Sequence, residues 1–290
     1  MTTDPFAGLG AEFSDHERAF LRAVLKDQSG LTRDIARAAA VEILAHKHNG
    51  RSVETVRGHA AQILTRAWSR VRAQDSPRAL DPRRETMTRT AVTTVRHVMP
   101  YLNYFTLEDS HFTHARFDGT QSGEMQRAVF HMADAVTVLP YDPVRDRVLL
   151  VEQLRFGPFG RGDVYPWTYE PVAGRIDLGE PPEMTARRET LEEAGVTLAA
   201  LHKAGDYYVS PGAATEFLVS YVGIADLPDD AAGVGGLAEE HEDIRAFLVS
   251  FDALMAMCDA HQLDTGPLYL TTLWLARHRD RLRKECGVTA

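Results

Sequence analysis

The sequence predicts a mixed α and β chain, helical at first and then richer in strands than in helices. Three observations carry this. Apolar residues recur near helical spacing up to Val71. The stretch "QDSPRALDPRRE" follows, with two prolines and many charges, and reads as a linker. From about Thr93 β-branched and aromatic residues fill short runs such as "FTHARF" and "ADAVTVLPYD". The expected division is a helical N-terminal extension over 1–90 and a second domain over 91–290.

Ser14-Asp15-His16-Glu17 is a capping-box pattern and opens a first helix through about Lys26. A second helix is expected from Thr32 to about His46, with Asn49-Gly50 breaking it. A third starts near Ser52 and carries Val53, Val56, Ala60, Ile63, Leu64 and Val71. In the second part, Asp142-Pro143-Val144-Arg145-Asp146 reads as a turn, which makes a hairpin from about Ala133 to Phe156. "TYEPVAG" is a short strand, "AGDYYVSPG", "EFLVSYVGIA" and "EDIRAFLVS" are further strands, and Ser250 caps a helix through about Ala260. Thr265-Gly266-Pro267 opens a final helix. No internal repeat or low-complexity tract interrupts this order.

The net charge of −9 is unevenly spread: residues 1–90 balance at +4 and the remainder at −13. The acidic part is a poor nucleic-acid surface and suits divalent cations. No run of about 18 apolar residues occurs, so no membrane span is expected. The first residues lack the basic start and apolar stretch of a signal peptide. Cys258 and Cys286 make neither a disulfide framework nor a metal cluster and are expected as reduced thiols in a cytoplasmic protein.

The densest chemistry lies in "AGRIDLGEPPEMTARRETLEEAGV", Ala173 to Val196, with nine charged side chains and three glycines. Pro181-Pro182 fits a helix start and Gly195 a left-handed cap. On that helix Glu189, Glu192 and Glu193 stand three and four positions apart, so they converge on one side. Carboxylates crowded this way repel unless a cation sits among them. Hard divalent ions take oxygen ligands of this kind beside substrate phosphates. Glu180 approaches from the preceding loop.

The order Gly174, Glu180, Arg188-Glu189, Glu192-Glu193, Gly195 and then an apolar residue resembles the Nudix box and fills every charged and glycine position of it. Thr190 departs from the aliphatic residue usual there and is expected to face the core. The resemblance implies an α/β Nudix fold, an α/β/α sandwich with a mixed sheet, behind the helical extension. It implies Mg2+ (or Mn2+) held by Glu189, Glu192, Glu193 and the Ala173 carbonyl, with Arg188 orienting the glutamates. "RVLLVEQLRF", "EPVAGRID" and "YVSPGAATEF" look like the ADP-ribose pyrophosphatase branch, as does Pro211, 16 residues beyond Gly195. "GLAEEHEDIR" resembles its catalytic loop, in which Glu240 or Glu242 would help activate water and Glu242 would bind metal. Arg155 is a candidate phosphate clamp, and Arg127 a candidate on the substrate side. Phe112 is the candidate for the adenine face, with Trp167 a second aromatic that fits packing better.

These expectations amount to Mg2+-dependent hydrolysis of ADP-ribose to AMP and ribose 5-phosphate by a homodimer. GDP-mannose or another nucleoside diphosphate sugar is the alternative substrate. A second alternative is a ligand-sensing DNA-binding regulator. "RSVETVRGHAAQILTRAW" resembles a recognition helix, with Arg51, Arg57, Arg66, Arg70 and Arg72 adding charge. The intact box favours the enzyme, so a nucleic-acid partner is not expected.

Overall fold

The computed structural model describes residues 12–75, 81, 83, 87–235 and 243–288. It divides into two compact units. The first comprises the chain up to Asp134 together with Asp177–Gly179 and Ser210–Glu216; the second comprises Ala135–Ile176, Glu180–Val209 and Phe217 onward.

Among the described residues of the first unit, four α-helices and one 3-10 turn precede a three-stranded antiparallel sheet. Helix α1 (Asp15–Leu25) starts at the Ser14–Glu17 capping box, and α2 (Arg33–His48) starts at Thr32, whose hydroxyl accepts from the Ile35 amide. The third predicted helix is two: α3 (Val53–Arg57), capped by Ser52, and α4 (Ala60–Asp75). Gly58 closes α3, and its low helix propensity places the break there. Strands β1 (Val92–Leu102), β2 (Thr106–His114) and β3 (Met125–His131) follow in sheet order. Leu21, Ile43, Ile63 and Leu64 form one buried cluster that also takes in Leu102 of β1. The sequence break near residue 90 is therefore a change from helix to strand, while the contact unit continues to Asp134.

A buried ionic group ties this unit together. Glu42 on α2 is fully buried and accepts a 2.6 Å hydrogen bond from Arg66 Nη2. Arg66 Nη1 donates to the Tyr104 carbonyl at 2.9 Å. Arg70 stands 3.6 Å from Glu42 and 3.4 Å from His131 Nδ1, whose Nε2 lies 2.6 Å from Glu108. The other three arginines considered for a duplex are also engaged within the unit. Arg51 donates to the Pro100 carbonyl, Arg57 to the Ala23 carbonyl and Arg72 to Asp134. Arg66, Arg70 and Arg72 thus pair with carboxylates of the same unit, while Arg51 and Arg57 meet backbone carbonyls.

The second unit is an eight-stranded mixed sheet with helices on both faces. The strands are β4 (Ala135–Asp142), β5 (Arg147–Leu154), β6 (Trp167–Glu170) and β7 (Val172–Arg175). Then come β8 (Ala200–Tyr208), β9 (Phe217–Ile224), β10 (Gly233–Gly235) and β11 (Ile244–Ser250). Their order is β10-β11-β5-β4-β9-β8, with β6 on β5 and β7 on β4. The β4–β9 pair is parallel and the others antiparallel. The predicted single strand "TYEPVAG" is split at Pro171, which has no amide hydrogen to give a ladder. A short helix, α5 (Phe156–Arg161), joins β5 to β6.

Helix α6 (Pro182–Ala194) packs on one face of the sheet, against β4, β7, β10 and β11. Helices α7 (Phe251–Asp259) and α8 (Gly266–Glu285) cover the other, where Leu139, Tyr141, Leu150 and Val222 meet Leu254, Leu268 and Leu275. Among the described residues no helix is long and apolar enough to cross a membrane.

Candidate active site

Helix α6 carries the site because its ends are fixed by sequence. Proline stands in its first turn, and Gly195 closes it at φ 66°, with its amide donating to the Leu191 and Thr190 carbonyls. Thr190 is fully buried, as expected from its position, and its hydroxyl donates to the Ala186 carbonyl at 2.7 Å. That bond satisfies the polar atom that an aliphatic side chain would not have brought into the core.

The crowded carboxylates gather on Arg188. Its Nη1 donates to Glu189 at 2.8 Å and to Glu192 at 2.9 Å, and its Nη2 to Glu180 at 3.1 Å. Thr185 holds the same Glu180 oxygen at 2.8 Å. Partial burial disfavours the Arg188 charge, but the hydrogen bond to Glu180 and the Glu189 charge outweigh it, and its pKa is raised further. Glu193, only 2% exposed, faces β7 as Glu189 does, and its Oε2 accepts from the Ala173 amide at 3.3 Å. Arg187 points away from this group and donates to the Leu198 carbonyl.

Two glycines make room. A Cβ on Gly174 would stand 1.9 Å from Glu189 Cδ and 2.1 Å from its Oε1, so the carboxylate occupies the space that a side chain would need. A Cβ on Gly235 would stand 2.2 Å from the Glu193 carbonyl oxygen. Beside the C-terminal end of α6 a cleft of about 660 Å³ is lined by Glu192, Glu193, Asp226, Asp230, Gly235 and Ala246.

The remaining predicted residues fall as follows. Arg155, at the end of β5, lies bidentate on Glu170, with Nε at 2.8 Å and Nη2 at 2.7 Å. Trp167 on β6 is half exposed. Arg127 and Phe112 belong to the first unit. Arg127 lies opposite Ser110, and Phe112 opposite Met125, which puts both on one face of that sheet. Arg127 Nη1 donates to the Gln126 carbonyl. Pro211 lies in the Ser210–Glu216 segment of the same unit. Glu240 and Glu242 lie outside the described residues.

Sequence reasoning missed Glu170 and Gln153. Both are buried, on adjacent strands, and the Gln153 Nε2 has no hydrogen-bond partner among the described residues. Only the β5–β6 register brings them beside Arg155. Among the described residues no group of three or more His, Cys, Asp and Glu side chains is arranged to hold a metal ion.

This gathering of glutamates on one helix by an arginine, against a glycine strand, is the Nudix arrangement, and the chain belongs to the Nudix family: the NUDIX domain model matches residues 131–270. Within the family it falls on the ADP-ribose pyrophosphatase branch. It is 36% identical to the ADP-ribose pyrophosphatase of Escherichia coli over 185 residues, spanning 64% of this chain and 88% of the relative. The ADP-ribose pyrophosphatase of Haemophilus influenzae is also 36% identical, over 188 residues, spanning 64% of this chain and 86% of the relative. The GDP-mannose pyrophosphatase of Escherichia coli is 29% identical over 173 residues, spanning 60% of this chain and 88% of the relative. A crystal structure of an ADP compounds hydrolase aligns at a TM-score of 0.50 and 18% identity, spanning 70% of this chain and all of the other, and shares the fold. The chain is a hydrolase of pyrophosphate bonds.

Proposed function

We propose that this hydrolase cleaves ADP-ribose to AMP and ribose 5-phosphate with Mg2+. The observation that carries the reading is the cluster of Glu180, Glu189 and Glu192 on Arg188, seated against Gly174, in a chain with 36% identity to ADP-ribose pyrophosphatases. Residues 91–290 are taken as the catalytic part.

The donor set fits a hard divalent cation. Every candidate ligand is oxygen, and the missing Cβ of Gly174 leaves the Glu189 carboxylate room beside β7. Glu189, Glu192, Glu193, the Ala173 carbonyl and Glu242 would hold Mg2+, and Mn2+ suits the same oxygens. When bound, such a cation neutralises pyrophosphate charge and acidifies water.

The other steps belong to the protein's own groups. Arg188 holds Glu180, Glu189 and Glu192 together and offsets their mutual repulsion. Arg155 clamps a phosphate oxygen, as a guanidinium suits an oxyanion. Phe112 offers the adenine an apolar face, and Arg127 supports the substrate side. Glu240 or Glu242 takes the proton of the attacking water, a contribution of about 10²–10⁴-fold for a positioned base. The water oxygen joins phosphorus as the anhydride P–O bond breaks, leaving one phosphate on each product.

A cytoplasmic homodimer is part of the proposal. The exposed apolar side chains of Leu154, Phe156, Phe159, Val164 and Tyr165 around α5 offer a face for the second copy. A GDP-mannose activity is the second reading, favoured by the 29% identity to a GDP-mannose pyrophosphatase. The test is product analysis with purified protein, Mg2+ and both substrates side by side. AMP released faster than GMP supports the proposal; faster GMP release reverses the order of the two readings.

A further inference from the structure

The geometry points to Glu170 as a positioning residue that holds Arg155 in place for the substrate's pyrophosphate. The inference rests on reading Arg155 as the phosphate clamp.

Glu170 is the last residue of β6 and is 7% exposed. A carboxylate this deep is costly unless it is paired and hydrogen-bonded. It has both: Arg155 meets it with two parallel hydrogen bonds at 2.8 and 2.7 Å, and Thr168 Oγ1 donates to its Oε1 at 2.5 Å. Thr168 thereby fixes the carboxylate's own rotation, and the carboxylate fixes the guanidinium plane.

The β5–β6 register explains the reach. Glu170 pairs with Val151, and Thr168 pairs with Gln153. Arg155 leaves the end of β5 in extended geometry, at φ −115° and ψ 129°. To meet Glu170 its side chain has to run back across the Gln153–Thr168 pair, lying along the sheet with part of its surface still in water. The guanidinium is anchored by its Nε edge, which limits rotation about the terminal bonds of a side chain that otherwise loses much entropy on binding.

The pair lies on the face that carries the box. Val151 faces Glu170 on one side and Ala246 on the other, and Ala246 lines the cleft with Glu192 and Glu193. Glu170, Val151 and Ala246 thus form a row across β6, β5 and β11 on the α6 face. The opposite face, with Leu150, Tyr169 and Phe247, belongs to the core under α7 and α8. A brace for the sheet alone would not need to sit on the same side as the catalytic carboxylates.

The test is a double-mutant cycle read by steady-state kinetics with ADP-ribose and Mg2+, each variant also followed by thermal melting. Arg155→Ala is expected to raise KM at least tenfold, and Glu170→Gln to raise it about tenfold with kcat changed far less, from weakening a charge-assisted contact. On the Arg155→Ala background Glu170→Gln is expected to add nothing, because its effect passes through the arginine. Thr168→Val, which removes only the hydroxyl donor, is expected to repeat this pattern more weakly and gives the same reading if Glu170→Gln melts early. An equal KM rise from Glu170→Gln in both backgrounds, or none in either, overturns the positioning role while leaving the clamp intact. A KM unchanged by Arg155→Ala overturns the clamp reading itself, and the inference with it.

Discussion

Gly174→Ala offers a sharp test of how the site is packed. An alanine Cβ there would stand 1.9 Å from Glu189 Cδ, 2.1 Å from Oε1 and 2.2 Å from Cγ. Ordinary carbon contacts begin near 3.5 Å, so the carboxylate has to retreat by roughly 1.5 Å. Gly174 is not among the glycines at positive φ, so alanine suits its backbone. The neighbour that yields is the end of one side chain, and the fold is expected to survive with its melting temperature within a few degrees. The site does not escape. Glu189 loses its 2.8 Å bond to Arg188, a charged contact worth about 1.5–3 kcal/mol. Misplacing a catalytic group by about 1 Å can cost about 10²-fold in rate. The expected result is a fall in kcat/KM on the order of 10², with the Mg2+ concentration for half-maximal rate moved upward. The assay is AMP release against Mg2+ concentration, with a melting curve for the same sample. A variant with full activity and an unchanged Mg2+ profile would refute the claim that Glu189 acts from that space.

Gly235→Ala makes the contrasting case. Its Cβ would meet the Glu193 carbonyl oxygen at 2.2 Å, a backbone atom that cannot swing aside, and a stability loss of about 1–3 kcal/mol is expected in denaturant titration. Glu193→Gln should abolish turnover while leaving the melting curve near that of the parent, and substantial turnover in that variant would remove Glu193 from the metal set. In the first unit, burial pushes the Glu42 carboxyl upward, but hydrogen bonds from His46 and Arg66 and the charges of Arg66 and Arg70 hold it at about 2. A carboxyl depressed on folding lends stability above its unfolded value of 4.5, lost as pH falls through the folded value. Stability should therefore drop between about pH 4.5 and pH 2, and less steeply in Glu42→Gln, read from urea midpoints across that range. Glu108 keeps part of the slope, since His131 and Ser110 also hold it at about 2 against burial.

The box was legible because its geometry is local. Spacings of three and four on one helix bring Glu189, Glu192 and Arg188 together whatever the rest of the chain does, and Gly195 and Pro182 mark that helix's ends in the sequence itself. The Arg155–Glu170 pair was not legible, because 15 positions separate the partners and only the β5–β6 register joins them. The partners of the α4 arginines were hidden for a related reason. Arg66 and Arg70 look like surface charge in a one-dimensional reading, yet Glu42, 24 residues before Arg66, draws both inward. Strand β3 lacks the apolar alternation that would announce it, since "MQRAVFH" shows only exposed and half-buried positions. The hairpin of β4 and β5 was found because its turn residues and apolar runs are contiguous.

The proposed activity is tested by incubating the purified protein with ADP-ribose and Mg2+ and quantifying the products, beside GDP-mannose and an Arg188→Ala control. AMP and ribose 5-phosphate are expected in equal amounts, faster than any product from GDP-mannose, with release lost in the control and on chelation of the metal. Intact ADP-ribose after prolonged incubation with a folded, metal-supplemented protein would contradict it.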